Sequence, residues 1–262
     1  MKKIIRIILL AIALPLLWGC NDDNEEVGKN STFVASASRP VWQIDWTWND
    51  GSPDWQDPAS TQFECSMNVL VELDDCFLPY STVGDKMAMF INGECRGVSF
   101  RNVIDGERVL FLIHVKGRSE ETSQHMELRY YSAGMKQLFI DYNMPMFSPG
   151  NLMDEAHQLI LTPAGCSTKY PIYTEIYVRL PEQMPFTFSP DDQMAVFVGD
   201  ECRGIFMSFP EDFNESWSGI AYAYQEGETA QIRYYSTEKG GTYTFAQPIT
   251  LSDIPQTISI TF

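Results

Sequence analysis

Residues 85–97, DKMAMFINGECRG, return 107 residues later as DQMAVFVGDECRG at 192–204, with eight of the thirteen positions identical. Any fold of this chain has to house that segment twice. The same offset, without a gap, sets residues 60–63 (STQF) against 167–170 (STKY), and Val69, Val71 and Leu73 against Ile176, Val178 and Leu180. Further on, LRYYS at 128–132 matches IRYYS at 232–236 with an offset of 104, so the intervening loops differ in length. Solenoid and propeller units run about 20–50 residues, so a period of roughly 100 is that of a duplicated domain.

Each copy has the pattern of a β-hairpin. Asn92 and Gly93 form the preferred pair for a two-residue turn with positive φ at both positions, and Gly199 and Asp200 occupy that place in the second copy. Counting outward predicts Phe90 opposite Cys95 and Ala88 opposite Gly97 on one face, with Met89 opposite Arg96 and Ile91 opposite Glu94 on the other. The first face, small and apolar, is the expected core face. A nucleophilic role for Cys95 or Cys202 calls for a nearby histidine, and His114, His125 and His157 all lie in the first unit. The cysteines are therefore expected as small buried hydrophobes, and Arg96 and Arg203 as surface or inter-strand partners of Glu94 and Glu201.

The chain begins MKKIIRIILLAIALPLLWGC, a basic start followed by an apolar run too short to span a bilayer, which marks residues 1–19 as an export signal. Leu17, Gly19 and Cys20 resemble the lipobox of bacterial lipoproteins. That resemblance implies cleavage before Cys20, a lipid on Cys20 and an outer-membrane, lipid-anchored, surface-exposed protein. Residues 20–40 are polar and acidic and are expected to form a disordered tether. The acidic run Asp22, Asp23, Glu25, Glu26 is similar to the export signal of surface lipoproteins of the Bacteroidota.

In VWQIDWTW, residues 41–48, Trp42, Ile44, Trp46 and Trp48 fall at every second position, which predicts a strand with one apolar face. This segment has no counterpart before the second repeat and is expected to complete the first sandwich or to wedge between the two units. Aromatic faces also stack on sugar rings, which makes Trp48 and Trp55 candidate ligand-binding residues. Trp55, in the turn-rich PDWQDP, is the one expected to be exposed. The remaining short Val-, Ile-, Phe- and Tyr-rich runs, separated by Gly, Pro, Asp and Ser, predict an all-β chain. Two tandem Ig-like antiparallel β-sandwich domains are expected, at 41–165 and 166–262, and only 154–158 suggests a helical turn.

The formal charge of −17 makes nucleic acid and anionic lipid surfaces poor partners, so membrane contact is expected through the N-terminal lipid alone. Asp50, Asp54 and Asp57 lack the alternation of a calcium loop, and no clustered Cys or His suggests zinc. No metal and no cofactor are expected. Five cysteines besides Cys20 form an odd set, in which Cys166 with Cys65 or Cys76 is the pairing the spacing allows.

RPVWQIDWTWNDGSPDWQDP at 39–58, with Ser66, Met67 and MAMFINGECR at 87–96, resembles a group of duplicated β-sandwich surface lipoproteins of Bacteroides and relatives. The resemblance implies an address and a fold and no catalytic residue. The expected function is that of a non-enzymatic binding or adhesion module at the cell surface, with a glycan or another envelope protein as partner. An accessory subunit of an outer-membrane complex is the alternative, in which an uncovered face from Trp42 to Trp48 would dock. A polysaccharide-processing enzyme would need two carboxyl groups about 5–9.5 Å apart across one cleft, and Glu94 and Glu201 fall in different units.

Overall fold

The computed structural model describes residues 30–151, 159–163, 165–209 and 216–262. The expected signal, Cys20, the start of the tether and the helical turn at 154–158 lie outside these residues. The chain is all-β. In order, the strands are β1 (Ser31–Ala35), β2 (Cys65–Leu73), β3 (Lys86–Ile91), β4 (Glu94–Phe100), β5 (Asn102–Ile104) and β6 (Arg108–Gly117). Next come β7 (Met126–Ser132), β8 (Gln137–Asp141), β9 (Leu159–Leu161), β10 (Cys166–Ser167), β11 (Ile172–Arg179) and β12 (Gln193–Val198). The last are β13 (Glu201–Phe209), β14 (Ser216–Ala223), β15 (Thr229–Ser236), β16 (Gly241–Phe245), β17 (Ile249–Thr250) and β18 (Gln256–Ser259).

In the first unit, β10-β8-β7-β3-β4 make one sheet and β5-β6-β2-β9 the other. The period-2 alternation of β2 turns Met67, Val69, Val71 and Leu73 inward, where they meet Met87, Met89 and Ile91 of β3 and Phe111 and Ile113 of β6. The second unit repeats this plan in one sheet, ordered β1-β16-β15-β12-β13-β14-β11-β18, with β17 added on β15. Its strand β13 pairs with β12 through its first half and with β14 through its second, so the sheet folds over on itself. In both units the final short strand runs parallel to the leading one, β9 beside β2 and β18 beside β11. Two of the three sheets are thus mixed, and the five-stranded one is purely antiparallel.

Three expectations need correction. Ser31–Ala35, assigned to the tether, is a strand: β1 pairs antiparallel with β16, so the N-terminal segment closes an edge of the second unit. Residues 39–59 contain no strand or helix. The alternation at 41–48 is real, but it reflects a seam between the units instead of a ladder; the segment makes isolated bonds such as Trp48 N–H to the Met135 carbonyl and Asp50 N–H to that of Lys136, both 2.8 Å. All five described cysteines are free thiols. Cys166 sits on β10 beside Ile140 and Cys65 on the opposite sheet beside Gly117, which excludes the pairing between them.

Candidate functional site

Every identical position of the repeated segment has a structural task. Asp85 accepts bonds from the Tyr130 hydroxyl (2.9 Å) and Ala133 N–H (2.9 Å), as Asp192 does from Tyr234 (2.7 Å) and Thr237 N–H (2.7 Å). Gly97 and Gly204 permit a close strand crossing: a Cβ there would lie 2.5 Å from the His114 carbonyl oxygen and 2.3 Å from that of Ile220. The first turn has positive φ at Asn92 (50°) and Gly93 (78°). In the second, Gly199 alone is positive (60°), the requirement of a turn with glycine in its first central place.

Between turn and glycine the two hairpins share a β-bulge. Phe90 pairs with Cys95 and Ile91 with Glu94 as the turn dictates, but Met89 pairs with Gly97, so Arg96 stands unpaired; Arg203 does the same between Cys202 and Gly204. A bulge re-aims a side chain. Both arginines, expected as surface or inter-strand partners of Glu94 and Glu201, do pair with those residues but are buried. Arg96 pairs with Glu121 and Glu94 and lies over the Phe63 ring. Arg203 pairs with Glu228 (3.1 Å) and Glu201 (3.2 Å) and lies over the rings of Tyr224 and Tyr170.

The facing also differs from the expected one. Met87, Met89 and Ile91 enter the main core, while Phe90 and Cys95 lie on the opposite face. In the second copy that outer face is a separate cluster of Ala195, Phe197 and Cys202. The aromatic segment covers both hairpins with matching geometry. Trp42 meets Phe197 edge-on at 5.6 Å and Trp55 meets Phe90 at 5.9 Å, while Arg233 and Arg129 lie over those two phenylalanines at 4.1 and 4.0 Å. Trp55, expected exposed, is half-buried because Lys86 and Lys116 hold the carbonyls of Pro53 and Pro58. Between these anchors Trp46 is buried against Phe139, Tyr170 and Tyr222, at the seam of the two units.

One tryptophan of the segment remains open. Trp48 is 39% exposed and stands 6.4 Å from Tyr224, itself 38% exposed. Tyr224 stacks on Tyr170 at 5.2 Å and donates its hydroxyl to Glu201 Oε1 at 3.0 Å; the Tyr170 hydroxyl lies 2.9 Å from the same oxygen. Burial and the Glu201 contact raise both phenols above their usual range, so at neutral pH they stay protonated and can donate. Beside them Asp45 accepts Thr47 N–H and the Lys169 ammonium; burial alone would raise its carboxyl, but these two bonds outweigh it and lower it. Two open rings and fixed carboxylates form a surface that can stack a ring and accept its hydroxyl protons. Tyr224 escaped the sequence reading, although it stands opposite Arg118 in the repeat, a place where the copies differ.

The remaining candidates do not converge. Glu94 bonds to Arg96 and Arg118, and Glu201 to Arg203 and the tyrosines. Asp50 accepts Leu138 N–H, Asp54 the Gln56 amide, and Asp57 pairs with Lys116. Burial raises both hairpin thiols, that of Cys202 to about 11, so they are protonated at neutral pH. A groove of about 590 Å³ lies between the units, lined by Asp141, Tyr142, Cys166, Tyr173 and Glu175 among others. Among the described residues no group of three or more His, Cys, Asp or Glu side chains could hold a metal ion, and no helix is long and apolar enough to cross a membrane. Comparison with known proteins found no matching protein family, no matching curated protein and no matching solved structure.

Proposed function

We propose that this chain is a lipid-anchored surface protein that binds glycans without processing them, through Trp48, Tyr224 and Glu201. The observation that carries the reading is the exposed pair of rings held against a hydrogen-bonded carboxylate, on a segment whose other three tryptophans are packed away. Sugar rings present an apolar face and a rim of hydroxyls, and this surface offers a partner for each. An uncovered apolar face from Trp42 to Trp48 would favour the accessory-subunit reading, but Trp42 and Trp46 of that face are turned onto Phe197, Phe139, Tyr170 and Tyr222, and Trp48 is the tryptophan of it left open. The anchor rests on the sequence at Cys20.

A glycan array probed with residues 21–262 tests the binding. Saturable signal for at least one glycan, lost in Trp48→Ala, is expected; an array without signal, or one indifferent to Trp48→Ala, refutes the site. Cys20→Ala should release the full chain from the membrane fraction, and a variant that still sediments with membranes contradicts the anchor.

A further inference from the structure

The two copies differ in charge at the bulge arginine, and the difference faces solvent. In the first copy two carboxylates, Glu94 and Glu121, share two guanidiniums: buried Arg96 and Arg118, which lies over the Phe63 ring at 5.0 Å and meets Glu94 at 3.3 Å and Glu121 at 3.0 Å. In the second copy Tyr170 replaces Phe63, and Tyr224 takes the place of Arg118. Its ring stacks on Tyr170 as the guanidinium does on Phe63, and its hydroxyl meets Glu201 as Arg118 meets Glu94. Glu201 and Glu228 are left with one cation, Arg203.

The cations paired with the carboxylates of this surface lie inside. The Arg203 side chain is 2% exposed and that of Lys169 3%, whereas their partners Glu201 and Asp45 are 34% and 63% exposed. The hydrogen-bonding groups of this site that are open beside Trp48 are therefore the Glu201 and Asp45 carboxylates and the Tyr224 oxygen, with Lys136 exposed on the adjoining turn. An anionic sugar would meet like charge there, and a neutral one finds only acceptors for its hydroxyls. An ammonium group meets carboxylates and two ring faces at once.

We propose that the surface formed by Trp48, Tyr224 and Glu201 selects sugars bearing a free ammonium group over neutral and anionic ones. This rests on the glycan-binding reading of the same residues. The test is calorimetric titration of the detergent-solubilised full chain with chitosan tetrasaccharide, its fully N-acetylated counterpart and an oligogalacturonate of equal length. Roughly tenfold tighter binding of the free amine than of the acetylated sugar is expected, with no binding of the oligogalacturonate. Tyr224→Arg, which restores the cation of the first copy, should abolish the preference, while Glu94→Gln in the first copy should leave it intact; thermal unfolding confirms that each variant folds. Equal affinity for the amine and acetyl forms overturns the selectivity while leaving glycan binding in place. A preference that survives Tyr224→Arg assigns it to the net negative charge of the molecule and overturns the site. Failure of all three sugars together with a blank array removes the glycan reading itself.

Discussion

Cys202 shows how far single residues follow from their neighbours in the chain. A small apolar residue opposite Phe197 was legible, and the thiol is indeed enclosed, by Ala195, Phe197, Trp42 and Ile44. Its nearest acceptor is the Gly204 carbonyl at 3.8 Å, a distance suited to sulfur and too long for a hydroxyl. Cys202→Ser is expected to cost about 1–3 kcal/mol, and half-buried Cys95→Ser less, as measured by denaturant midpoints; the reverse order would contradict their placement. The face on which the cysteines lie was not legible. Both faces of the first hairpin are apolar, Ala88 and Phe90 on one and Met87, Met89 and Ile91 on the other, so composition could not tell core from outer cover. Of the site, Trp48 could be picked out as an aromatic in the right segment. Trp55 looked exposed from its turn-rich surroundings but is covered by contacts from residues distant in the chain, which sequence spacing does not encode.

At the scale of elements, the bulge gives the repeated hairpin its character. Inserting one unpaired residue before the close-approach glycine brings an arginine inside, where it requires acidic partners from another loop. Burial tends to raise the Glu121 carboxyl, but the Arg118 N–H and the charge of Arg96 outweigh this and hold it below the usual carboxylate range. A depressed folded-state value stabilises the fold above the unfolded value, and that contribution is lost as pH falls through the folded one. Arg96→Ala should therefore destabilise the chain by about 1–3 kcal/mol at neutral pH by leaving the Glu121 carboxylate with Arg118 as its one charged partner among the described residues. The deficit should shrink in acid, where Glu121 protonates; chemical denaturation at two pH values measures it, and a deficit independent of pH would contradict the pairing. The turn residues foretold the hairpin and its first two pairs. The bulge left no mark in the sequence, because an extra residue in one strand changes the register without changing composition.

For the whole molecule, the duplication and its all-β class were visible from the repeat and the spacing of short apolar runs. The joining of the two copies was not, since it depends on chain ends reaching across. β1 pairs with β16 of the second unit, and β10, which leads into the second unit, pairs with β8 of the first. The aromatic segment lies between them: buried Trp46 touches rings of both units, its carbonyl accepts the Gln137 amide at 2.8 Å, and Lys169 and the Tyr170 hydroxyl hold the Asp45 carbonyl. These contacts are expected to make the copies unfold as one cooperative body, and they leave Trp48 open to solvent. Differential scanning calorimetry of the wild type beside Trp46→Ala tests this most directly. One two-state transition is expected for the wild type, replaced in Trp46→Ala by a lower, divided transition after a loss of about 3–5 kcal/mol. Two separate transitions in the wild type, unmoved by Trp46→Ala, would show that the aromatic segment does not join the copies.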